Sequence, residues 1–349
     1  MSDLVVTNAR ATSRPIMFGV IAIAAIGFPF LISSGALSWT GFPLSALFTS
    51  VNLALIACVG AAAFNLLVGY AGQISMAHAA MLMVGTMAAG WLSSRWTLNF
   101  LVLLPLVGVV GGVIGAMVAL PALRLRGMYL LLATLAFHYI AGSFYHWFLP
   151  AYFGFVGIVF PPPVIGFGDT FSVTLDSDAS WYWVLLAFAS LSLFIMGRYV
   201  STYEGRALAA IDARDKAAAL LGINVARSKL VVFGISSAFV AMSGAVSGYF
   251  LGARVEDSFP VSVVLDFAVM IVVGGYASLA GGVVGAFFFY ITPLFIQWLL
   301  RTLPVISDIA VLQKHYSSIN LGLFGFLIVL ILIRRPDGLA GLLRLVRRL

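Results

Sequence analysis

Ten apolar segments, each close to the thickness of a bilayer, follow one another along this chain and leave few alternatives for its fold. A helix needs about 20 mostly apolar residues to cross the hydrocarbon core. Stretches near 16–36, 44–66, 74–93, 99–121, 127–149, 181–198, 229–251, 263–279, 281–300 and 319–333 meet or approach that length. Backbone N–H and C=O groups find no water in lipid, so segments of this kind close their hydrogen bonds internally, as helices. The third and eighth are short and carry glycines; each is read either as a span or as a re-entrant segment. The expectation is an all-α integral membrane protein, a polytopic helical bundle of eight to ten spans forming one transmembrane domain over residues 1–349. Composition agrees: 62% of residues are hydrophobic and 9% charged, against about 25% charged in soluble domains.

The basic residues set the orientation. With the N-terminus in the cytoplasm, all but four of the 19 lysines and arginines fall inside. The four outside are Arg95, Arg254, Arg301 and Lys314. That bias is the signature of an N-in/C-in chain with an even number of spans. It also accounts for the net charge of +7 without nucleic acid as a partner. The outer loops are acidic or neutral, with Asp169, Asp176 and Asp178 in one and Glu256 and Asp257 in another. The opening segment, with Arg10 and Arg14 ahead of residues 16–37, has too long an apolar core and too poor a cleavage site for a signal peptide; it reads as a first transmembrane helix. Residues 150–180 form a long outer loop whose Pro161, Pro162 and Pro163 favour extended backbone. A single cysteine, Cys58, leaves no intrachain disulfide and no cysteine-based metal site.

Glycines, 35 in all, recur at four-residue spacing, as in Gly108/Gly112, Gly111/Gly115, Gly244/Gly248, Gly248/Gly252 and Gly281/Gly285. Small residues let helix backbones approach in lipid, and close packing within the chain is the expected use. "GYAGQIS" (69–75) and "GGYASLAGG" (274–282) read as helix breaks, which membrane proteins tolerate only against protein or a cavity. Their likeness hints at an internal repeat.

Ionisable and polar groups inside spans are costly and mark candidate pathway positions. Gln73, Ser75 and His78 either line a path or close the helix break beside them. His138 bonds a substrate group or a neighbouring carbonyl. Thr134 can donate to its own i−4 carbonyl. Asp266 lies near the outer end of a span, where it can snorkel or cap. Gly274, Gly275, Gly281 and Gly282 either flex as a gate or pack tightly. No Ser/His/Asp or His/Glu constellation points to catalysis or a metal.

One stretch breaks the apolar pattern: "YEGRALAAIDARDKAAALLGINVARSKL", from Tyr203 to Leu230. Ser201 and Glu204 have capping-box spacing, alanines favour helix, and Gly222 is a natural stop. The pattern predicts one helix of about 18 residues from near Thr202 to Leu221. Leu208, Ile211 and Ala218 or Ala219 share a narrow face. Arg206, Asp212, Arg214, Asp215 and Lys216 cover much of the rest, with Asp212 and Lys216 spaced as an i,i+4 pair. So small an apolar face does not suit a membrane-surface anchor. It suits a protein partner, or a solvated helix with none.

Five stretches carry a family resemblance. "FNLLVGYAGQISMAHAAMLMVGTMAAG" (64–90), "LRLRGMYLLLATLAF" (123–137), "EGRALAAIDARDKAAALLGINVARSKL" (204–230), "MIVVGGYASLAGGVVGA" (270–286) and "RRPDGLAG" (334–341) occur in the order found in permease subunits of bacterial branched-chain amino acid ABC importers. The chain resembles the LivM-type members of that family from about residue 50 to its C-terminus. The resemblance implies a multi-pass subunit in the bacterial inner membrane. It implies a homologous LivH-type permease, two cytoplasmic ATPases of the LivG and LivF type, and a periplasmic substrate-binding protein as partners. Residues 201–229 become the ATPase-coupling loop, with Glu204, Gly205, Arg206, Ala210, Asp215, Ala218, Leu221, Gly222 and Ile223 as candidate coupling positions. Gln73, Ser75, His78, Thr134, His138, Gly274 and Gly275 become candidate pathway positions.

No G-x-x-x-x-G-K-[ST] motif is present, so no cofactor is expected in this chain, and ATP and Mg²⁺ are expected in the partner ATPases. The sequence departs from the family pattern at "YFGFVGIVFPPP" (152–163), where Phe153 and Phe155 replace small or polar groups, at Ala77 and at His138. Relatives carry urea, short amides and carboxylates, so the substrate stays open at this stage. An ion-coupled secondary transporter is the alternative. It would need an intramembrane acid or base placed for coupling, a role for which Asp266 and the histidines are weak candidates.

Overall fold

The computed structural model describes residues 27–29, 43–302, 316–334 and 338–339, apart from 97, 124, 126, 155–156, 161–162, 167–171 and 176. Most of the first apolar segment, near 16–36, lies outside the described residues.

From residue 43 on, the described residues form eleven α-helices: α1 (Leu44–Asn65), α2 (His78–Arg95), α3 (Phe100–Ala122), α4 (Met128–Tyr152), α5 (Asp178–Ser201), α6 (Tyr203–Ala213), α7 (Asp215–Leu220), α8 (Val225–Leu251), α9 (Ser262–Gly274), α10 (Leu279–Thr302) and α11 (Tyr316–Arg334). Among the described residues, eight stretches are long and apolar enough to cross a membrane, beginning with Leu44–Tyr70 and ending with Ser317–Arg334. This is an all-α polytopic membrane protein. The third apolar segment forms α2, which is less apolar than these eight and is buried along most of its length.

α1 is the axis of the bundle. Every residue from Ala54 to Gly69 is buried, and α5, α8, α9 and α10 all pack on it. Its polar residues therefore point at protein, not lipid. At the other extreme, α11 lies at the edge of the bundle against α10, and Phe324 is its one buried residue among Ser317–Arg334. A face of α3 bearing Val109, Val113 and Met117 is likewise uncovered, as a lipid-facing surface requires.

The helices meet through small residues. α8 runs between α2 and α3. A Cβ at Gly85 of α2 would stand 1.9 Å from the Ala241 carbonyl oxygen, and one at Gly244 of α8 would stand 2.2 Å from that of Leu82. Only glycine permits this approach. Thr86 uses it by donating to both Leu82 O and Gly244 O at 3.0 Å. Gly111 and Gly115 of α3 face Ala241 and Ser237 in the same way. The glycine spacing thus serves contacts within the chain, as the sequence suggests.

The long 150–180 loop is structured in part. β1 (Ile158–Val159) pairs antiparallel with β4 (Ala253–Arg254), and β2 (Val164–Gly166) with β3 (Ser172–Thr174). Ile158 and Phe160 are buried, the Phe160 ring lying 4.7 Å from that of Tyr249. Phe153 packs on Phe148; Phe155 lies outside the described residues, as do Pro161 and Pro162. At the same end, Ser177 and Ser180 form the capping box of α5, and Thr49 and Asn52 donate to Asp178. The opposite end carries α6, α7 and both glycine-rich breaks.

Candidate functional site

The charged stretch does not form one helix. α6 ends at Ala213, Arg214 takes an extended conformation with φ −161° and ψ 104°, and α7 starts afresh at Asp215. The predicted capping box is absent. Thr202 is the N-cap residue of α6 and makes no side-chain cap; Ser201 Oγ donates to Arg198 O, and Glu204 Oε2 accepts from Ser228 Oγ at 3.2 Å. The acid–base contact is also different from the i,i+4 pair that spacing suggests: Lys229 Nζ lies 2.9 Å from Asp215 Oδ2. Together these tie both short helices to the start of α8.

The apolar face of the stretch is covered by the chain itself. Leu208 is fully buried with Leu66, Leu67, Ala71, Ala119, Val232 and Phe233; Ile211 and Ala218 are buried too. Sequence reasoning offered this face to a partner, but the bundle already occupies it. What remains free is the far side. Leu220 and Leu221 are 89% and 77% exposed, and Tyr203, Arg206 and Gly222 are exposed as well. Among the candidate coupling residues, Gly205 and Ala218 are buried and Glu204, Ala210, Asp215 and Ile223 half-buried. Gly205 is held against Val200, where it packs α6 on the end of α5.

Above this loop lie both helix breaks, and one residue joins them. α1 closes with a π-helical turn, Leu66–Tyr70, a widening frequent at functional sites. Just before it, Asn65 Nδ2 donates to Gly275 O (3.1 Å) and Ser278 O (2.8 Å), while its Oδ1 accepts from Ala277 N (3.0 Å). Tyr276 Oη donates to Val68 O at 2.7 Å. The two glycine-rich segments, about 200 residues apart in sequence, form a single knot.

α6 reaches this knot through Asp212. Gly72 has φ +62°, and a Cβ there would stand 1.9 Å from Asp212 Oδ1. The carboxylate raises the Tyr276 hydroxyl pKa further above a value already lifted by burial. Asn65, Tyr276 and Asp212 were absent from the sequence-derived set. Asn65 had a legible signal, a lone amide in an apolar run beside "GYAG"; Asp212 had none beyond its charge.

The candidate pathway positions divide. Ser75 Oγ accepts from Ala77 N at 3.2 Å, and Thr134 Oγ1 accepts from Met76 N at 2.9 Å while donating to Leu130 O at 3.0 Å. Gln73 N donates to Leu67 O. These contacts close the break after α1. Gly274 packs on Gly281, where a Cβ would stand 1.9 Å from its carbonyl oxygen, and Gly275 has φ 139°. His78 is buried between the rings of Phe64 and Phe267, its Nε2 without a hydrogen-bond partner.

His138, whose Nδ1 also lacks a partner, lines a cavity of about 280 Å³ with Met83, Glu256 and Asp257. Asp266 lines another of about 150 Å³ with Arg254, Ser243 and Ser247. Phe259 borders both. The arrangement is a bundle with polar cavities toward one end, a hydrogen-bonded knot of broken helices toward the other, and a two-helix loop seated against that knot.

A family model described as branched-chain amino acid transport system / permease component matches residues 45–332. The chain belongs to that permease family. It is similar to the high-affinity branched-chain amino acid transport system permease protein LivM of Salmonella typhimurium strain LT2, with 26% identity over 97% of this chain and 77% of the relative. LivM of Escherichia coli K12 is 25% identical over the same shares. LivH of Escherichia coli K12 is 27% identical over 51% of this chain and 52% of the relative. No solved structure matches it. This permease is a transport subunit of an ABC importer.

Proposed function

We propose that this permease sits in the bacterial inner membrane with its coupling loop in the cytoplasm. There it carries branched-chain amino acids, delivered by a periplasmic binding protein, through a pair formed with a LivH-type permease. Two partner ATPases hold ATP and Mg²⁺ and drive the cycle. The relatives' names support the substrate class and the permease pairing, and the positive-inside bias supports the orientation.

The observation that carries the coupling role is the two-leucine knob at the tip of α7. The exposed leucines, with Arg206 and Tyr203 exposed on the same loop, form a protein-facing surface, while the loop also meets the helix breaks through Asp212. A push on the knob is delivered to the knot that joins α1, α9 and α10. Alternating access follows if the knot shifts as the ATPases close.

The test is affinity purification of the tagged permease after co-expression with the ATPases, the second permease and the binding protein. The proposal predicts a stable complex whose ATP hydrolysis rises when leucine-loaded binding protein is added. A permease that purifies free of ATPases under conditions where the ATPases and LivH-type subunit are folded contradicts it.

A further inference from the structure

The cavity of about 150 Å³ between α1, α8, α9 and α10 holds two opposite charges that do not meet. Arg254 enters from β4; its guanidinium carbon lies 5.3 Å from the Phe259 ring centre, and its Nε is buried without a hydrogen-bond partner. Asp266 enters from α9 and, among the described residues, makes neither an ion pair nor a hydrogen bond. An unpaired charge within a membrane bundle is expensive. Two opposite ones facing the same space would ordinarily be expected to collapse into a pair.

Ser243, Ser247, Ser258 and Tyr290 supply the remaining polar wall, and the first two are directional. Ser243 Oγ donates to Ile56 O at 2.9 Å and Ser247 Oγ to Gly244 O at 2.8 Å. Both hydroxyls have spent their proton and present acceptor lone pairs, which suit an ammonium. Leu53, Ile56 and Val263 line the cavity as an apolar wall.

We propose that this cavity is an amino-acid subsite within the permease, taking the substrate as a zwitterion. The carboxylate meets Arg254, the ammonium meets Asp266, and an aliphatic side chain lies on Leu53, Ile56 and Val263. A substrate with one charge, or none, leaves a partner unpaired; urea, simple amides and simple carboxylates are disfavoured for that reason. The proposal deepens, and rests on, the amino-acid reading given above.

The experiment is uptake of radiolabelled leucine and alanine into proteoliposomes holding the full complex with its binding protein. Asp266→Asn, which keeps side-chain volume, and Arg254→Gln, which leaves a shorter polar side chain, both remove charge; each is expected to lower leucine uptake at least tenfold, with Asp266→Glu restoring part of the loss. Ala57→Leu changes no charge and narrows the cavity; it is expected to reduce leucine uptake more than alanine uptake. Wild-type leucine uptake by both charge-removing variants overturns the subsite and leaves the amino-acid reading standing. An unchanged leucine-to-alanine ratio in Ala57→Leu, with the complex intact by gel filtration, overturns it equally, even if the charge variants fail to assemble. Wild-type complex that accumulates 4-methylpentanoate but no leucine overturns the amino-acid reading itself.

Discussion

Asn65 holds two backbone groups that would otherwise be orphaned in the bundle, the carbonyl of Gly275 and the N–H of Ala277, and adds a bond to the Ser278 carbonyl, which also accepts from Gly282 N. Leaving a buried backbone group unpaired costs about 1–3 kcal/mol. Asn65→Leu, which keeps the branched shape in a bulkier side chain without hydrogen-bonding atoms, is expected to destabilise the permease by at least that much, read as a lower thermal midpoint in detergent; Asn65→Asp, which keeps the acceptor for Ala277 alone, should also lose stability. An unchanged midpoint in both would show that the knot bears little of the fold. Gly72 gives a sharper test. Its φ of +62° and the Asp212 oxygen beside it make Gly72→Ala both strained and crowded. We expect a drop in ATP-coupled uptake of several-fold, with partial recovery in the Gly72→Ala, Asp212→Gly double variant because the clash is removed. Strictly additive effects would mean that the two residues do not act through one another.

At the scale of the element, the coupling loop decides the reading. Leu220→Asp with Leu221→Asp changes side chains that touch almost nothing in the chain, so the melting midpoint should move by no more than the ~0.5 kcal/mol usual for surface changes. Copurification of the ATPases should fall at least tenfold. Retained copurification would move the docking surface elsewhere. Gly222 has φ +84°, so Gly222→Pro cannot keep the turn after α7, and Glu204→Lys removes the acceptor of Ser228; each is expected to lower coupling while leaving the protein in the membrane, measured as leucine uptake per ATP hydrolysed. Unchanged ratios in both variants would count against the loop's role.

How much of this element was legible follows from where its contacts come from. The alanine content, Gly222 and the density of charge are local, and helices formed where they pointed. The break at Arg214 is not local. A straight 18-residue helix would run about 27 Å, whereas Asp215 is held to Lys229 and Ala218 is buried, so the second half turns back on α8. The capping box failed for a related reason: Glu204 serves Ser228, 24 residues later in sequence.

At the scale of the molecule, length and hydropathy fixed the class and the positions of most helices, because a bilayer constrains each segment separately. They did not show that α1 is the buried axis, since an apolar helix reads the same whether it faces lipid or protein. The glycine spacing was legible as packing, but its partners, such as Gly85 on Ala241 and Gly244 on Leu82, needed the third dimension. The candidate site was half legible for the same reason. "GYAGQIS" and "GGYASLAGG" stood out as breaks, yet their union through Asn65, and the mixed-charge cavity of Arg254 and Asp266, join segments far apart in sequence.

The central claim is that this bundle moves its substrate at the expense of ATP hydrolysed by partner chains. Proteoliposomes containing the complete complex, with leucine-loaded binding protein on the periplasmic side, test it most directly. The account predicts leucine accumulation that requires ATP and Mg²⁺ on the coupling-loop side and is indifferent to imposed sodium or proton gradients. Accumulation that persists without ATP and follows an imposed ion gradient would contradict it.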